Sequence, residues 1–382
     1  MSVLTPTRAD RAAAPTPAAG VDACFEAVAA FGLPGCAPTD APPPADEAAW
    51  RDLAARVERA RLTGPFSHLV ASGRWSCAPA VATDVADRHR EAMALTLLLE
   101  RDLVAVVDDL AAAGIEVRVL KGSAVARLDE PDPSWRSFGD IDLLVRGGDL
   151  RRAAAVVETR GGHRRYAEPR PGFDEHFSKG SSFVFDRNTE VDLHRTLAAG
   201  PFGLTIDLHD LFAHTERVTI GDRTLPALDR PSRFLHACLH TMLGAPAPPA
   251  GAMRDIVRTA PPSVADCREV LDRATRWQVA AVVAAAVRAT VDRWGWTPVP
   301  ELAQWARWYR PSDRDRRWLD AYRGGHRSYA AQMINGIEAV PGVRAKVAYA
   351  LALTAPAPAP GRAPLPDRWS RGLRALRRTL PR

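Results

Sequence analysis

Two carboxylates spaced one residue apart, Asp140 and Asp142 in the segment Phe138-Gly-Asp-Ile-Asp-Leu-Leu-Val145, carry the most chemical information in this chain. They lie in a run of β-forming residues. Strand side chains alternate faces, so both carboxylates point the same way. Paired anions on one face repel unless a positive charge lies between them, and a divalent ion with hard oxygen ligands, Mg²⁺ above all, meets that need. Further on, Thr189-Glu-Val-Asp-Leu-His194 sets Glu190, Asp192 and His194 on one face of a second short strand. Upstream, Val119-Leu-Lys-Gly-Ser123 joins a strand to an expected helix start. Free backbone N–H groups and the helix dipole favour an anion there, and glycine permits close approach of a phosphate. Ser123 adds a hydroxyl donor. Lys121 can balance phosphate charge, although strand alternation leaves its direction open. Arg136 is a further phosphate candidate, with Lys179 and Arg195 weaker ones. Taken together, these residues define an expected metal-and-phosphate site.

Other residues divide between chemistry and structure. Asp-x-Asp alone is more often a solvated turn or strand edge than a metal site, and its neighbours here reverse that balance. Glu190 shares the face of Asp192, yet a glutamate starting a hairpin is more often exposed. His194 can position a substrate, act as a base, or serve as a hydrogen-bonded structural histidine. His236 and His240 are one helical turn apart, the spacing of a zinc pair, but only Ala237, Cys238 and Leu239 lie between them, without the glutamate of a metalloprotease. A structural or substrate-facing role for His240 is therefore expected over zinc.

The elements that must hold these groups follow from pattern. Residues 115–120 predict a strand, 122–128 a short helix, 129–137 a loop, 140–145 a second strand and 149–160 a helix ended by Gly161-Gly162. Residues 182–185 and 190–193 predict a hairpin around the turn 186–189, and 218–225 a further β element. Residues 46–113 look helical, with Leu97, Leu98, Leu103 and Val107 as parts of a buried stripe and Gly114 as the C-cap. Helices are expected again over 234–243, 264–275, 279–293 and 301–308, with Pro-rich stretches at 245–251 and 355–366. The Ala/Pro/Thr-rich 1–45 is expected to be largely disordered, with a short helix near 21–31. The resulting domains are a disordered 1–45, a helical 46–113, an enzymatic core over 114–228, a helical 229–354, and a linker and tail over 355–382.

The ordered set Lys121-Gly-Ser123, Arg136-x-x-Gly-Asp-x-Asp142 and Val191-Asp-Leu-His194 resembles the bacterial uncharacterised nucleotidyltransferase family, of the DNA polymerase β-like nucleotidyltransferase superfamily. The resemblance covers about residues 95–260, including His236-x-x-x-His240 and Arg254-Asp255. Its pattern of Gly-Ser, an acidic pair and a third acid falls here on Gly122-Ser123, Asp140 with Asp142, and Asp192. It implies an α+β fold: a small mixed β-sheet nucleotidyltransferase core with flanking helices and a helical C-terminal domain. It also implies transfer of an NMP group from an NTP to a hydroxyl or amine acceptor, with release of pyrophosphate. Two Mg²⁺ ions, Mn²⁺ being the alternative, can clamp the attacking and leaving oxygens. Asp140 and Asp142 are expected to bind both ions, and Asp192 the one on the acceptor side. ATP is the default donor, the choice among NTPs stays open, and the acceptor is a small molecule, peptide or protein. A phosphotransferase is a second reading, without a Walker Gly-x-x-x-x-Gly-Lys or a kinase His-Arg-Asp motif to support it. A non-catalytic nucleotide-binding scaffold is a third.

Composition bounds the rest. At 382 residues, 46% hydrophobic and 25% charged, the chain fits a soluble globular protein. No apolar run approaches the roughly 20 residues of a membrane helix, and no apolar core follows Met1, so a cytoplasmic location is expected. Five scattered cysteines without a Cys-x-x-Cys pair indicate neither a zinc site nor a disulfide framework. The basic residues are 48 Arg and three Lys (Lys121, Lys179, Lys346), the skew of a GC-rich genome, which draws attention to each lysine retained. Residues 355–382 hold seven Arg and one Asp and so account for the whole net charge of +6. In that tail Trp369, Leu373, Leu376 and Leu380 fit one helical stripe among arginines. A basic amphipathic helix docking on an acidic partner or anionic surface is one expectation, packing on its own domain the other.

Overall fold

Short β-branched runs supply a seven-stranded mixed sheet: β1 (Val117–Val119), β2 (Ile141–Val145), β3 (His163–Arg164), β4 (Gly180–Val184), β5 (Glu190–His194), β6 (Thr215–Ile220) and β7 (Arg223–Leu228), in the order β3-β4-β5-β2-β1-β7-β6. This computed structural model describes residues 17–37, 41–186, 189–245, 247–323 and 328–354. The central strand β2 runs antiparallel to β1 and parallel to β5, with β4–β5 and β6–β7 forming antiparallel hairpins.

Alternation along β2 and β5 divides the sheet into two unlike faces. Ile141, Leu143, Val145, Val191 and Leu193 join one core, which the helices Pro79–Ala112 and Leu150–Thr159 cover. The covering stripe of the long helix is Leu99, Leu103, Val106, Val107 and Leu110. Leu97 and Leu98, expected in that stripe, are exposed at 58% and 48%. At 3.6 residues per turn they point well away from the face defined by Leu99 and Leu103.

The opposite face carries Asp142, Leu144, Asp192 and His194. Leu144 belongs to a second, larger core shared by helices from both ends of the chain. Pro17–Ala30, Glu47–Arg59 and Thr63–Ala71 pack there with Arg230–Gly244, Ala250–Thr259, Val264–Arg276 and Ala280–Trp294. The order 46–113, 114–228, 229–354 along the chain therefore does not map onto separate cores. Nor is 17–37 disordered: Val28 and Ala29 are fully buried, and Glu26 holds Arg293 and the Trp294 indole at 2.7–3.0 Å. Low-complexity composition hid an apolar face that a partner some 260 residues distant covers. The expected strand 115–120 is shorter, Asp140 sits in the bend just before β2, and the loop from 245 ends where the helix Ala250–Thr259 begins. The basic tail lies outside the described residues.

Candidate metal and phosphate site

The parallel β2–β5 ladder sets Asp142 opposite Asp192 and Leu144 opposite His194. On the other side of β2, the Leu120 N–H donates to the Asp142 carbonyl at 3.1 Å, so the chain leaves β1 with Lys121 directed at the carboxylates. The Lys121 ammonium lies 2.8 Å from Asp142 Oδ2 and 3.1 Å from Asp140 Oδ2, bridging the two acids. Arg61 stands 3.6 Å from the other oxygen of Asp140. Burial alone would raise the Asp142 pKa, but the Lys121 charge and a hydrogen bond from His194 hold it well below the usual carboxylate range. Lys121 responds in the opposite sense: burial lowers its pKa, and Asp142 and Asp140 more than reverse that.

His194 Nε2 is 2.8 Å from Asp142 Oδ1 and 3.9 Å from Asp192 Oδ2. Burial, and then Lys179, depress its pKa, so the ring is neutral at pH 7. An ionised carboxylate only accepts, so Nε2 carries the proton that bonds Asp142. Asp142, Asp192 and His194 each offer a donor atom within 4.8 Å of the others. Asp192 Oδ1 is buried with no hydrogen-bond partner among the described residues. A buried bare carboxylate oxygen beside a second acid and an imidazole is what a bound cation would satisfy. Two hard oxygens suit Mg²⁺, and the nitrogen also admits Mn²⁺. With the proton moved to Nδ1, His194 Nε2 becomes a third donor. The residues present therefore fit a divalent ion.

Gly122 has φ +64°, a conformation that favours glycine, and a Cβ there would meet the Phe138 ring at 3.4 Å. It caps the short helix Ser123–Leu128, with Ser123 buried. Arg136 spans this turn and the helical layer. It donates to the Gly122 carbonyl at 3.1 Å and to both oxygens of Asp255 at 2.7 Å. Its guanidinium thus steadies the Gly-Ser turn. Glu190, at the start of β5, is bound by Arg165 at 2.6 Å. His236 and His240, on the helix Arg230–Gly244, approach from above, and the His236 ring centroid is 6.4 Å from that of His194. Burial, with Lys121 and Lys179 nearby, drives the His240 pKa down to about 3. Burial and His240 likewise hold the His236 pKa well below its ordinary value.

Sequence reasoning underrated one group. Lys179 enters beside the trio, where burial lowers its pKa against the pull of Asp142. Its ammonium makes no hydrogen bond or ion pair with a described residue. Gly180 puts it there: a Cβ on Gly180 would lie 2.0 Å from the Leu193 carbonyl oxygen, so only glycine lets β4 pass this close to β5. The signal was the rarity of lysine, since two of the three are at this site. Arg61 carried no such signal among 48 arginines.

A mixed sheet carrying in-register acids beside a Lys-Gly-Ser turn is the architecture expected of a nucleotidyltransferase. The chain belongs to the uncharacterised nucleotidyltransferase family, whose model matches residues 46–295. Among solved structures, an antigenic nucleotidyltransferase-like protein from Paracoccidioides brasiliensis is similar over 55% of this chain and 92% of its own, at 14% identity and a TM-score of 0.32. No curated protein matches the chain.

Proposed function

We propose that this protein is a divalent-metal-dependent nucleotidyltransferase that moves an NMP group from an NTP, ATP by default, to a hydroxyl or amine acceptor. The observation that carries the reading is the in-register pairing of Asp142 with Asp192, the latter with a bare buried oxygen, inside the segment matched by the family. Asp142 and Asp192 would hold the ion, with His194 as third donor and Asp140 as the outer acid. Bound there, Mg²⁺ or Mn²⁺ would supply charge stabilisation for the phosphoryl oxygens.

The remaining steps belong to the chain. Backbone N–H groups at Gly122 and Ser123 bind phosphate oxygens, in a turn that Arg136 keeps in place. Lys121 and Lys179 set two ammonium groups against three carboxylates, leaving one net negative charge that a divalent ion would reverse, so that the loaded site would draw a triphosphate. The acceptor oxygen or nitrogen attacks the α-phosphorus, the α–β bridging bond breaks, and pyrophosphate leaves with its electron pair. The acceptor proton passes to solvent.

One observation favours a second reading. The Lys121 ammonium seated between Asp140 and Asp142 already takes the bridging place and offsets one of the pair's two charges, as a nucleotide-binding scaffold without turnover would require. Calorimetry with the four NTPs, with and without Mg²⁺, followed by a pyrophosphate-release assay, decides between them. Mg²⁺-dependent binding of one NTP that vanishes in Asp142→Asn, with release of pyrophosphate, supports transfer. Binding that ignores Mg²⁺ and yields no pyrophosphate supports the scaffold.

A further inference from the structure

On the Asp192 flank of the site lies a cavity of about 730 Å³, within the size range of small-molecule pockets. On the strand side its polar groups include Asp192, His194 and Lys179, and the later helices add Tyr329 and Gln332. Its far wall is aromatic and apolar, with Phe173, Phe177, Met333 and Tyr349 among its residues. The cavity does not reach Lys121, Gly122, Ser123 or Asp140, so the phosphate turn and this space lie on opposite flanks of the acids.

Two further facts narrow its role. Met333 and Tyr349 sit on the helices Tyr329–Ala339 and Val343–Thr354, beyond the segment 46–295 that the family model matches. They form, with Phe173, a small apolar cluster separate from both main cores. The chemistry-bearing wall thus lies within the family-matched segment, while the opposite wall joins Phe173 and Phe177 of that segment to Met333 and Tyr349 of this chain's later helices. Lys179, unlike Lys121, has its ammonium unpaired among the described residues and lines the cavity. A half-buried ammonium that feels the acids only through space, with no direct ion pair to them, can still take an anionic ligand group.

We infer that this cavity binds the acceptor, and that the acceptor is an aromatic molecule bearing an anionic substituent: the ring packs on Phe173, Met333 and Tyr349, and the anion meets Lys179. This assignment rests on the transferase reading for the word acceptor; the ligand class stands on the cavity alone. The helices beyond residue 295 then set acceptor choice, while nucleotide binding is left to the family-matched segment.

The probe is 1-anilinonaphthalene-8-sulfonate, an aromatic anion whose fluorescence reports enclosure, titrated into the full-length protein with and without saturating Mg·ATP. Binding at one site per chain, undiminished by Mg·ATP, is expected. Met333→Trp fills the cavity and Lys179→Met removes the cation. Each should weaken the probe about tenfold or more, the effect of one lost buried contact or charge-assisted bond. Met333→Trp should leave Mg·ATP affinity unchanged, and a cooperative melt confirms that each variant is folded. Absence of single-site binding, equal affinity in both folded variants, or displacement of the probe by Mg·ATP would overturn the inference. Single-site probe binding lost in the variants, in a protein that binds no nucleotide, would uphold the ligand class and sink the transferase reading instead.

Discussion

Lys121 does two jobs at atomic scale: it discharges the repulsion between Asp140 and Asp142, and it stands ready to pair with phosphate. Removing it in Lys121→Met leaves two facing carboxylates, one of them buried, and should cost about 3–5 kcal/mol. Millimolar Mg²⁺ should then raise the melting temperature of the variant by more than that of the parent, because the ion replaces the lost charge. Equal gains in both would count against a cation site between these acids. The histidines make a separate pH prediction. His240 and His236 are neutral when folded, their pKa values pushed far below the ordinary value by burial. The unfolded chain takes up protons on these rings below about pH 6.5 while the folded chain does not, so stability is fully present above that pH and falls as the solution is acidified towards pH 3. Each ring contributes a slope of about 1.4 kcal/mol per pH unit within that window. His240→Gln should flatten the slope of urea-unfolding free energy between pH 6 and 5, and an unchanged slope would refute it. At this scale Asp142 and Asp192 were legible in the sequence because strand alternation fixes their face, whereas Asp140 joins them from the bend before β2. The partners of the acids were not, since Arg61 and Lys179 reach the site only through tertiary folding.

Among elements, the decisive one is the pair β4–β5, which brings Lys179 and Asp192 side by side. Gly180→Ala places a methyl group against the Leu193 carbonyl, a backbone atom that cannot move without breaking the ladder. A loss of more than about 2 kcal/mol is expected, with exchange of the β4 and β5 amides accelerated relative to those of β6 and β7. Thermal melting and amide exchange read the two effects, and an unperturbed melt would exclude the close approach. Pattern alone located the β4–β5 hairpin and four of the later helices to within a few residues, because each carries its own period and stop signals, while β6 and β7 were expected only as one β element over 218–225. It misplaced Leu97 and Leu98, since a leucine-rich run fits several helical faces and only the sheet selects one. It also said nothing of the parallel β2–β5 register that pairs Asp142 with Asp192, because that contact joins strands nearly fifty residues apart.

Over the whole molecule, the two cores assign the chain differently from its order. One belongs to a single face of the sheet and its two covering helices, the other to helices drawn from both ends. Arg254 is buried and donates to the carbonyls of Ala29 and Phe31 at 2.9 Å, and Arg258 to that of Gly32. Deleting residues up to 37 should therefore leave two buried guanidinium groups without their carbonyl acceptors, with Glu130 as their remaining ion-pair partner, and expose the apolar seam around Val28. A chain cut in this way is expected to lose its cooperative melt although the family-matched segment is intact. Retention of a sharp transition would show that the first helix is dispensable. Composition made that helix hard to foresee, because alanine and proline repeats mask four buried positions in a row, Ala27 to Ala30.

The clasp between Glu26 and Arg293 also has a consequence in time. A ribosome adding about 5–20 residues per second needs roughly 15–60 s to pass from the first partner to the second. Throughout that interval the first three helices can close only on one another and on the helix Pro79–Ala112, and a growing chain that still lacks its later helices is a natural client for a chaperone that shields exposed hydrophobic segments.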